Sequence, residues 1–363
     1  MLAARAYEGE TEFRLEDIEV PTAGPGEVVI EVAAAGLAPS LLTFWRMGLL
    51  PLLPHTPGHE AAGVVAAVGA GVTEHAAGDR VRMHPNLTCR RCASCLTDRD
   101  QLCPACSMIG HGIFGPTGMP LYERYHDGAL AEYVLAPAWA VDALPDSVSF
   151  EAAAKIHDVA VALRALKLAA PSPGATVVWT AATGAIGPAA VRLAPLFGIR
   201  RFIAVGRSGE RLDEVRALAP DLVEVVALDR LDTDWETEQG LTRAIRELAP
   251  AGVDVVLDFL PEGKGTQQSI AALKVGGTAV IVGGNFDAPA TARELVGNCW
   301  RILGSRNGSR DDARQVMAWL ASGALTIDDL FTHRFALADV GAAVDLLQTR
   351  ATPAWMTAVH PKR

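Results

Sequence analysis

The sequence predicts an α/β protein in which a small β-rich domain comes first and a doubly wound parallel sheet follows. Within residues 1–150, short segments such as 27–32 place apolar side chains with a period of about two, which favours strands. From about Pro173 onward, apolar strand-like runs alternate with helical runs, which is the pattern of repeated βα units. We therefore expect domains at 1–150 and 151–305, with 306–363 completing the first domain.

The order of the runs gives the individual elements of the second domain. Strands are expected at 176–180, 202–205, 222–227, 253–258, 278–282 and 301–304. Helices are expected at 186–197, 210–218, 235–248 and 265–273. The remaining elements are a helix at 311–322, a strand at 331–335 and a helix at 337–348. They are too few for a third domain, so the tail is expected to return to the first one.

Composition excludes several classes of partner. The 363 residues carry a formal net charge of −10, which offers a phosphate backbone little attraction, so nucleic acid is not expected as a partner. No apolar run reaches the roughly 18 uncharged residues of a membrane span. The first ten residues turn acidic before an apolar signal-peptide core could form. We therefore expect a cytoplasmic protein that does not bind membranes.

Five of the six cysteines lie close together, and four of them have the spacing C-x2-C-x2-C-x7-C. These four are Cys89, Cys92, Cys95 and Cys103. Such spacing can fold four thiolates into the tetrahedron of a structural zinc ion, whose closed shell leaves no position for a substrate. The alternative is four reduced thiols in a core, but Arg90, Arg91 and Asp98 make the setting polar. Cys106 is expected to be a spare ligand, and Cys299 a small core residue.

Residues 177–187 read as a strand, a turn of small residues and the start of a helix. In a dinucleotide-binding turn, Gly184 would let the backbone approach a pyrophosphate and Gly187 would let the helix pack closely. Ala182 stands where this fingerprint has its first glycine, so an ordinary tight turn is the alternative. Its place in the first βα unit favours binding. The expected cofactor-binding residues are Ala182, Thr183, Gly184, Ala185, Ile186, Gly187, Gly206, Arg207, Ser208 and Gly283.

The end of the second predicted strand indicates which dinucleotide binds. An NAD site usually has an Asp or Glu there for the ribose hydroxyls, whereas this chain reads Val205-Gly206-Arg207-Ser208. The guanidinium of Arg207 and the hydroxyl of Ser208 can pair with a 2′-phosphate. We therefore expect NADP(H); the alternative is that Arg207 is only a solvated turn residue.

Several segments together resemble one known family. They are 57–65 (PGHEAAGVV), 78–81 (GDRV), the four-cysteine loop, 128–134 (GALAEYV) and the nucleotide turn. The chain resembles the medium-chain dehydrogenases/reductases, the superfamily of zinc-containing alcohol dehydrogenases and quinone reductases. The resemblance implies a GroES-like β domain carrying the substrate site, a Rossmann domain carrying a nicotinamide cofactor, and a homodimer or homotetramer.

Zinc alcohol dehydrogenases of that superfamily hold a second, catalytic zinc with a Cys, the His of the G-H-E segment, and a later Cys or acid. By the resemblance, Ala38 stands at the first Cys and Leu41 at a nearby acid, while His59 and His157 stand at the other two ligands. One interpretation is that the catalytic zinc is lost, because neutral Ala and Leu replace two negative groups.

The other interpretation is a rebuilt zinc site made of His59, His157 and a carboxylate from Glu60 or Asp158. Both histidines can also be structural. Loss of the zinc is the favoured hypothesis.

Without a metal, hydride transfer from NADPH needs a hydrogen-bond or proton donor for the developing oxyanion. Ser40 occupies the position of the proton-relay Ser/Thr by the resemblance, although a turn hydroxyl is the alternative, and His59 or His157 could supply the proton. An apolar wall favours a small hydrophobic carbonyl, enone or quinone as substrate. Its expected lining is Leu41, Phe44, Trp45, Leu49, Ile109, Phe114 and Trp300. A cofactor-binding protein without activity, like the crystallin-like relatives, is a further alternative.

Overall fold

The structure is a computed structural model that describes residues 1–284, 289–350 and 352–362. It divides into two compact units. The first contains Met1–Ala160 and Gly308–Arg363, and the second contains Val161–Asn307. The tail after 308 therefore belongs to the first unit, as the sequence predicts.

The strands follow one another in chain order. They are β1 (Leu2–Arg5), β2 (Arg14–Asp17), β3 (Glu27–Gly36), β4 (Ala61–Val68), β5 (Arg80–Met83), β6 (Asn86–Leu87), β7 (Ser107–Met108), β8 (Gly112–Ile113), β9 (Tyr133–Pro137), β10 (Val141–Ala143), β11 (Thr176–Trp179), β12 (Arg201–Gly206), β13 (Val223–Ala227), β14 (Val253–Asp258), β15 (Leu273–Ile281), β16 (Arg301–Gly304), β17 (Phe331–Ala336) and β18 (Met356–His360).

The α-helices alternate with the strands mainly in the second unit. They are α1 (Pro39–Arg46), α2 (Met119–Arg124), α3 (Phe150–Ala169), α4 (Ile186–Leu193), α5 (Gly209–Ala217), α6 (Gly240–Leu248), α7 (Gly265–Ala271), α8 (Ala292–Asn298), α9 (Arg310–Ser322) and α10 (Val340–Thr349). None of the helices described is both long enough and apolar enough to cross a membrane.

The first unit is built around a mixed sheet with the strand order β10-β5-β4-β3-β18-β17, and β9 also pairs with β3. Most neighbours are antiparallel, while β17 and β18 are parallel. Val28, Ile30 and Val32 of β3 point into the core of this unit. Strand β18 comes from the C-terminal tail, and this pairing completes the sheet.

The second unit is a parallel sheet with the order β13-β12-β11-β14-β15-β16. The order reverses between β11 and β14, so the carboxyl ends of these two strands flank the crevice in which doubly wound sheets bind dinucleotides. Val178, Ile203 and Val256 of the three central strands are fully buried, as expected for strands covered on both faces.

Three details differ from the sequence-based expectation. The first boundary between the units lies after Ala160 and not at 151, and it falls within the continuous helix α3. Helix α6 begins at Gly240 and not at 235, because the preceding Gln239 is in the left-handed conformation, which a helix cannot include. Cys299, expected in the core, is exposed.

Candidate active site and zinc loop

Four cysteines of the first unit converge on one point. One sulfur atom from each lies within 4.8 Å of the other three, and the four are Cys89, Cys92, Cys95 and Cys103. The sulfurs of Cys92 and Cys95 are 3.5 Å apart, and those of Cys89 and Cys95 are 4.0 Å apart. Zinc–sulfur bonds of ~2.3 Å in a tetrahedron give sulfur–sulfur distances of ~3.8 Å. The loop therefore fits a zinc ion.

Backbone amides favour the thiolate form of these cysteines. The N–H groups of Cys89 and Ala105 donate to the sulfur of Cys103 at 3.4 and 3.3 Å. The N–H of Arg91 donates to the sulfur of Cys89 and is the main cause that lowers its pKa to about 6. Thiolates are the form that a zinc ion binds. Cys106 is buried and is not part of the group.

Close backbone packing shapes the nucleotide turn of the second unit. A Cβ atom on Gly187 would lie 2.0 Å from the carbonyl oxygen of Ala182, so only glycine fits there. The N–H of Ala182 donates to the carbonyl of Val205 on β12. A Cβ on Gly206 would lie 3.3 Å from the methyl group of Thr183, so the chain after β11 and the end of β12 lie close together here. Ala182 takes the place of the first glycine without disrupting the turn.

The N-terminus of α4 lacks a side-chain cap. Its N-cap residue, Ala185, makes no side-chain cap hydrogen bond. The N–H of Gly187 donates to the carbonyl of Gly184 at 3.3 Å and Pro188 has no N–H, so Ile186 offers the first amide of the helix to a ligand. A Cβ atom on Gly184 would meet a single neighbouring atom within 4 Å, which leaves space for a ligand. Gly283 follows β15 and packs against the backbone of Leu260. A Cβ atom on Gly283 would lie 2.3 Å from the carbonyl oxygen of Leu260. Such a helix end suits a phosphate group.

Arg207 follows β12 at the carboxyl edge of the sheet and is exposed. Its side chain has no hydrogen bond or ion pair within the part of the chain that the structure describes. Ser208 caps α5, since its hydroxyl oxygen accepts from the N–H of Arg211 at 3.5 Å. The N–H of Gly209 donates to the carboxylate of Asp229 at 3.0 Å. An acid, Asp229, therefore lies at the N-terminus of α5. It comes from the segment after β13 and was not predicted from the sequence.

A buried polar network marks the point where the strand order reverses. The carboxylate of Asp258, at the end of β14, accepts hydrogen bonds from the hydroxyls of Thr180 and Thr266 at 2.8 and 2.9 Å. Burial raises the pKa of Asp258 to about 6. This group is not among the residues predicted from the sequence, although an Asp at the end of an apolar strand is a visible signal.

Three buried histidines of the first unit lie in contact. The ring of His59 packs edge-to-face against His111, with centroids 4.8 Å apart, and against His157, with centroids 5.1 Å apart. Each ring is at least 95% shielded from solvent. His59 and His157 were predicted from the sequence, whereas His111 was not. Phe44 and Phe114 both pack against His111, so the cluster has one aromatic side.

Three glycines bring His59 and His111 together. The N–H of Gly58 donates to the carbonyl of Gly110 at 2.9 Å. A Cβ on Gly110 would lie 2.6 Å from the Cα of Gly128, and a Cβ on Gly128 would lie 2.2 Å from the carbonyl oxygen of Gly58. The three backbones can approach this closely only without side chains. The two histidines directly follow Gly58 and Gly110 and therefore meet.

Burial keeps these histidines neutral at neutral pH. It holds the pKa of His59 well below its usual value, lowers that of His111 to about 4 and lowers that of His157 to about 3. The sequence suggests a protonated donor near neutrality, and these pKa values argue against one. A neutral ring still carries one N–H donor. The Nδ1 atoms of His59 and His111 are buried and have no hydrogen-bond partner among the residues described.

Three buried charged side chains, from Glu60, Lys155 and Asp158, are close in sequence to His59 and His157 and contact one another. The ammonium of Lys155 lies 2.7 Å from a carboxylate oxygen of Glu60 and 2.6 Å from one of Asp158. Burial and the neighbouring Asp158 raise the pKa of Glu60 to about 8, and the two acids raise that of Lys155 despite its burial. Both candidate carboxylates of a rebuilt zinc site are thus paired with an ammonium.

The other predicted side chains lie in different settings. Ser40 is exposed in the first turn of α1, and its hydroxyl makes no side-chain hydrogen bond to the described residues. Trp45 is a core residue that stacks on Phe13 and donates from its indole N–H to the carbonyl of Tyr7. Ile109 is also fully buried. Of the expected lining, Phe44 and Phe114 are the side chains in ring contact with the histidine cluster.

The residues present do not fit the catalytic zinc that the resemblance implies. Ala38 and Leu41 are buried and apolar and offer no ligand. Apart from the four cysteines, no three His, Cys, Asp or Glu side chains in residues 1–284, 289–350 and 352–362 place their ligand atoms within 4.8 Å of one another.

Two family models match most of the chain. The alcohol dehydrogenase GroES-like domain matches residues 24–146, and the zinc-binding dehydrogenase model matches residues 185–322. "Probable D-xylulose reductase A" of Aspergillus clavatus is 31% identical over 90% of this chain and 87% of its own length. The alcohol dehydrogenase of Geobacillus stearothermophilus is 31% identical over 89% of each chain.

The chain belongs to the zinc-type medium-chain dehydrogenase/reductase superfamily. Among solved structures, the cobalt- and zinc-bound thermostable alcohol dehydrogenase of Pyrobaculum aerophilum superposes with a TM-score of 0.82, at 27% identity over 99% of each chain. The predicted GroES-like and Rossmann folds are confirmed. As a medium-chain dehydrogenase/reductase, the protein is an oxidoreductase.

Proposed function

We propose that this oxidoreductase uses NADP(H) to transfer hydride to or from a hydrophobic carbonyl, enone or quinone, with a structural zinc in the four-cysteine loop and no catalytic zinc. One observation carries the proposal. Arg207 stands at the position where NAD sites usually have an acid, and its guanidinium is exposed and has no partner among the residues described. A 2′-phosphate would form charge-assisted hydrogen bonds with it, and the Ser208 hydroxyl would add a donor.

The histidine cluster supports chemistry without a metal ion. When bound, the nicotinamide supplies or accepts the hydride. A neutral imidazole can donate its N–H to a carbonyl oxygen and stabilise the negative charge that develops there, as neutral histidines do in other enzymes. His59, His111 and His157 are such neutral rings because burial lowers their pKa. Ser40 remains our candidate for passing the proton to solvent, since its hydroxyl is exposed.

The aromatic side of the cluster supports an apolar substrate. Phe44 and Phe114 have ring centroids 4.6 and 5.6 Å from that of His111. An apolar wall beside a few polar donors is typical of sites for hydrophobic small molecules.

The named relatives favour a second candidate. The xylulose reductase and the alcohol dehydrogenase act, by their names, on a sugar and on alcohols, and the structural neighbour binds zinc and cobalt. On this interpretation, His59 and His157 would belong to a rebuilt zinc site in an alcohol or polyol dehydrogenase.

Steady-state assays separate the two candidates. Purified protein is assayed with NADPH and NADH against aldehydes, enones and quinones, and with NADP⁺ and NAD⁺ against polyols and alcohols. We expect NADPH to be consumed with an apolar carbonyl, enone or quinone, at least tenfold more efficiently than NADH. Polyol oxidation with NAD⁺ would instead support the second candidate. Tight NADPH binding without turnover on any substrate would contradict both.

The family resemblance also implies a homodimer or homotetramer, which we propose for this chain. Light scattering coupled to size-exclusion chromatography should give two or four times the chain mass of 38.2 kDa. A mass equal to one chain would contradict this.

A further inference from the structure

Lys155 is a fully buried lysine in the first unit. Its ammonium contacts two acids, Glu60 at 2.7 Å and Asp158 at 2.6 Å, and none of the three side chains is more than a tenth exposed. Charged groups are rarely buried unless they are paired in this way. Lys155 and Asp158 lie one turn apart on α3, on either side of His157 in the sequence.

The surroundings fix this ammonium in place. Glu60 directly follows His59 and precedes β4. A Cβ atom on Gly36 would lie 2.1 Å from a carboxylate oxygen of Glu60 and 2.9 Å from the Cδ of Lys155. The ion cluster therefore packs directly on the backbone of β3, just before Ala38, and the Lys155 side chain has little freedom to move away.

The acids that a further cation would need are already engaged by Lys155. In the family's zinc site, anionic ligands offset the double charge of the metal. Here Ala38 supplies no anion, and the two nearby acids, Glu60 and Asp158, are both held by the Lys155 ammonium. A metal ion at His59 and His157 that recruited a carboxylate would have to take it from the buried Lys155 ammonium, which is costly to leave without a partner.

We propose that Lys155 is the fixed cation of this centre and keeps divalent metal ions from binding to His59 and His157. This inference deepens the proposed function, because it rests on a centre without catalytic zinc. It makes Lys155 a positioning residue, since its ammonium holds Glu60 and Asp158 and does not touch a reacting group in the structure.

The test measures metal binding and not turnover. Protein with zinc in its four-cysteine loop is titrated with Co²⁺, and the visible absorbance and the bound metal per chain are recorded. The variants are Lys155→Met and, as a matched control, Lys167→Met, which makes the same change farther along α3. Adding His157→Asn to Lys155→Met tests whether the new ion uses the histidines.

We expect wild type and Lys167→Met to bind no Co²⁺ beyond the zinc loop. Lys155→Met should bind one further Co²⁺ per chain with visible absorption bands, and the added His157→Asn should weaken that binding at least tenfold. If circular dichroism shows that Lys155→Met is unfolded, a double variant replaces it. Glu60→Gln/Lys155→Met removes one acid together with its partner and should bind the extra Co²⁺ instead.

The possible failures are distinguishable. A second tightly bound metal in wild type would overturn both the metal-free centre and the role of Lys155. One metal in wild type together with no extra Co²⁺ in the folded variants would overturn only the role of Lys155 and leave the proposed function standing.

Discussion

The imidazole rings of His59 and His111 pack edge-to-face with their centroids 4.8 Å apart, although they come from distant parts of the sequence. Contact between Gly58 and Gly110 places them there. His111 is therefore part of the same buried polar group as the histidine of the G-H-E segment. This relationship makes His111 a candidate donor to the substrate.

Replacing His111 with Phe should lower kcat for carbonyl reduction by about 100-fold, the order expected for loss of one oxyanion donor. An aromatic ring remains, so the fold and coenzyme binding should change little. Initial rates and NADPH affinity are measured for the variant and for His333→Phe, which alters a histidine on β17 outside the cluster. Equal kcat values for the two variants would exclude a role for the His111 N–H.

Replacing Arg207 with Asp should weaken NADPH binding by about 10- to 100-fold and leave NADH binding unchanged or stronger, because a charge-assisted hydrogen bond is lost and a repulsive charge is added. Calorimetry gives both affinities. Arg200→Asp is the control, since this exposed arginine lies at the opposite end of β12. An unchanged NADPH-to-NADH ratio in Arg207→Asp would rule out the proposed 2′-phosphate contact.

Replacing Cys92 with Ser should remove the zinc ion and lower the melting temperature by roughly 5–10 °C, because binding energy of the metal stabilises the folded loop. Metal analysis and thermal unfolding are recorded for this variant and for Cys299→Ser, an exposed cysteine outside the loop. Full zinc content in Cys92→Ser would show that the four cysteines are not the ligands.

Asp142 should make stability depend on pH in the acid range. Burial alone would raise its pKa, but the guanidinium groups of Arg82 and Arg310 lower it to about 2. A carboxyl with a lowered pKa in the folded state stabilises the fold above its ordinary pKa near 4, and this stabilisation is lost as the pH falls toward 2. The part of the pH dependence that comes from Asp142 should be missing in Asp142→Asn.

At pH 7, Asp142→Asn should lower the free energy of unfolding by about 3–5 kcal/mol, because Arg82 is buried and loses its partner. The difference from wild type should shrink between pH 4 and pH 2. Urea unfolding measures both, with Asp146→Asn as the control on a fully exposed acid. A constant difference across that range would contradict the assignment.

The features predicted from sequence are those encoded by short spacings. The four cysteines, the turn around Gly187 and the alternation of strands and helices each lie within one stretch of chain, so local pattern was enough. The position of α9 also agrees with the prediction, whereas β18 was not predicted as a strand.

The features that were missed depend on contacts between distant segments. His111 carries no spacing signal, because only the packing of Gly58, Gly110 and Gly128 brings it to His59. Lys155 has the pattern of an ordinary helix residue until its two acids are placed beside it. Cys299 follows helix α8, which has no buried residue, and it caps that helix in the left-handed conformation and faces solvent.

The most direct test of the central claim is the zinc content of the protein that turns over NADPH with an apolar carbonyl, measured by mass spectrometry of the metal on the active fraction. A centre that works through neutral histidines predicts one zinc ion per chain, held by the four cysteines. Two zinc ions per chain in the active fraction, with activity lost when only one remains, would contradict it.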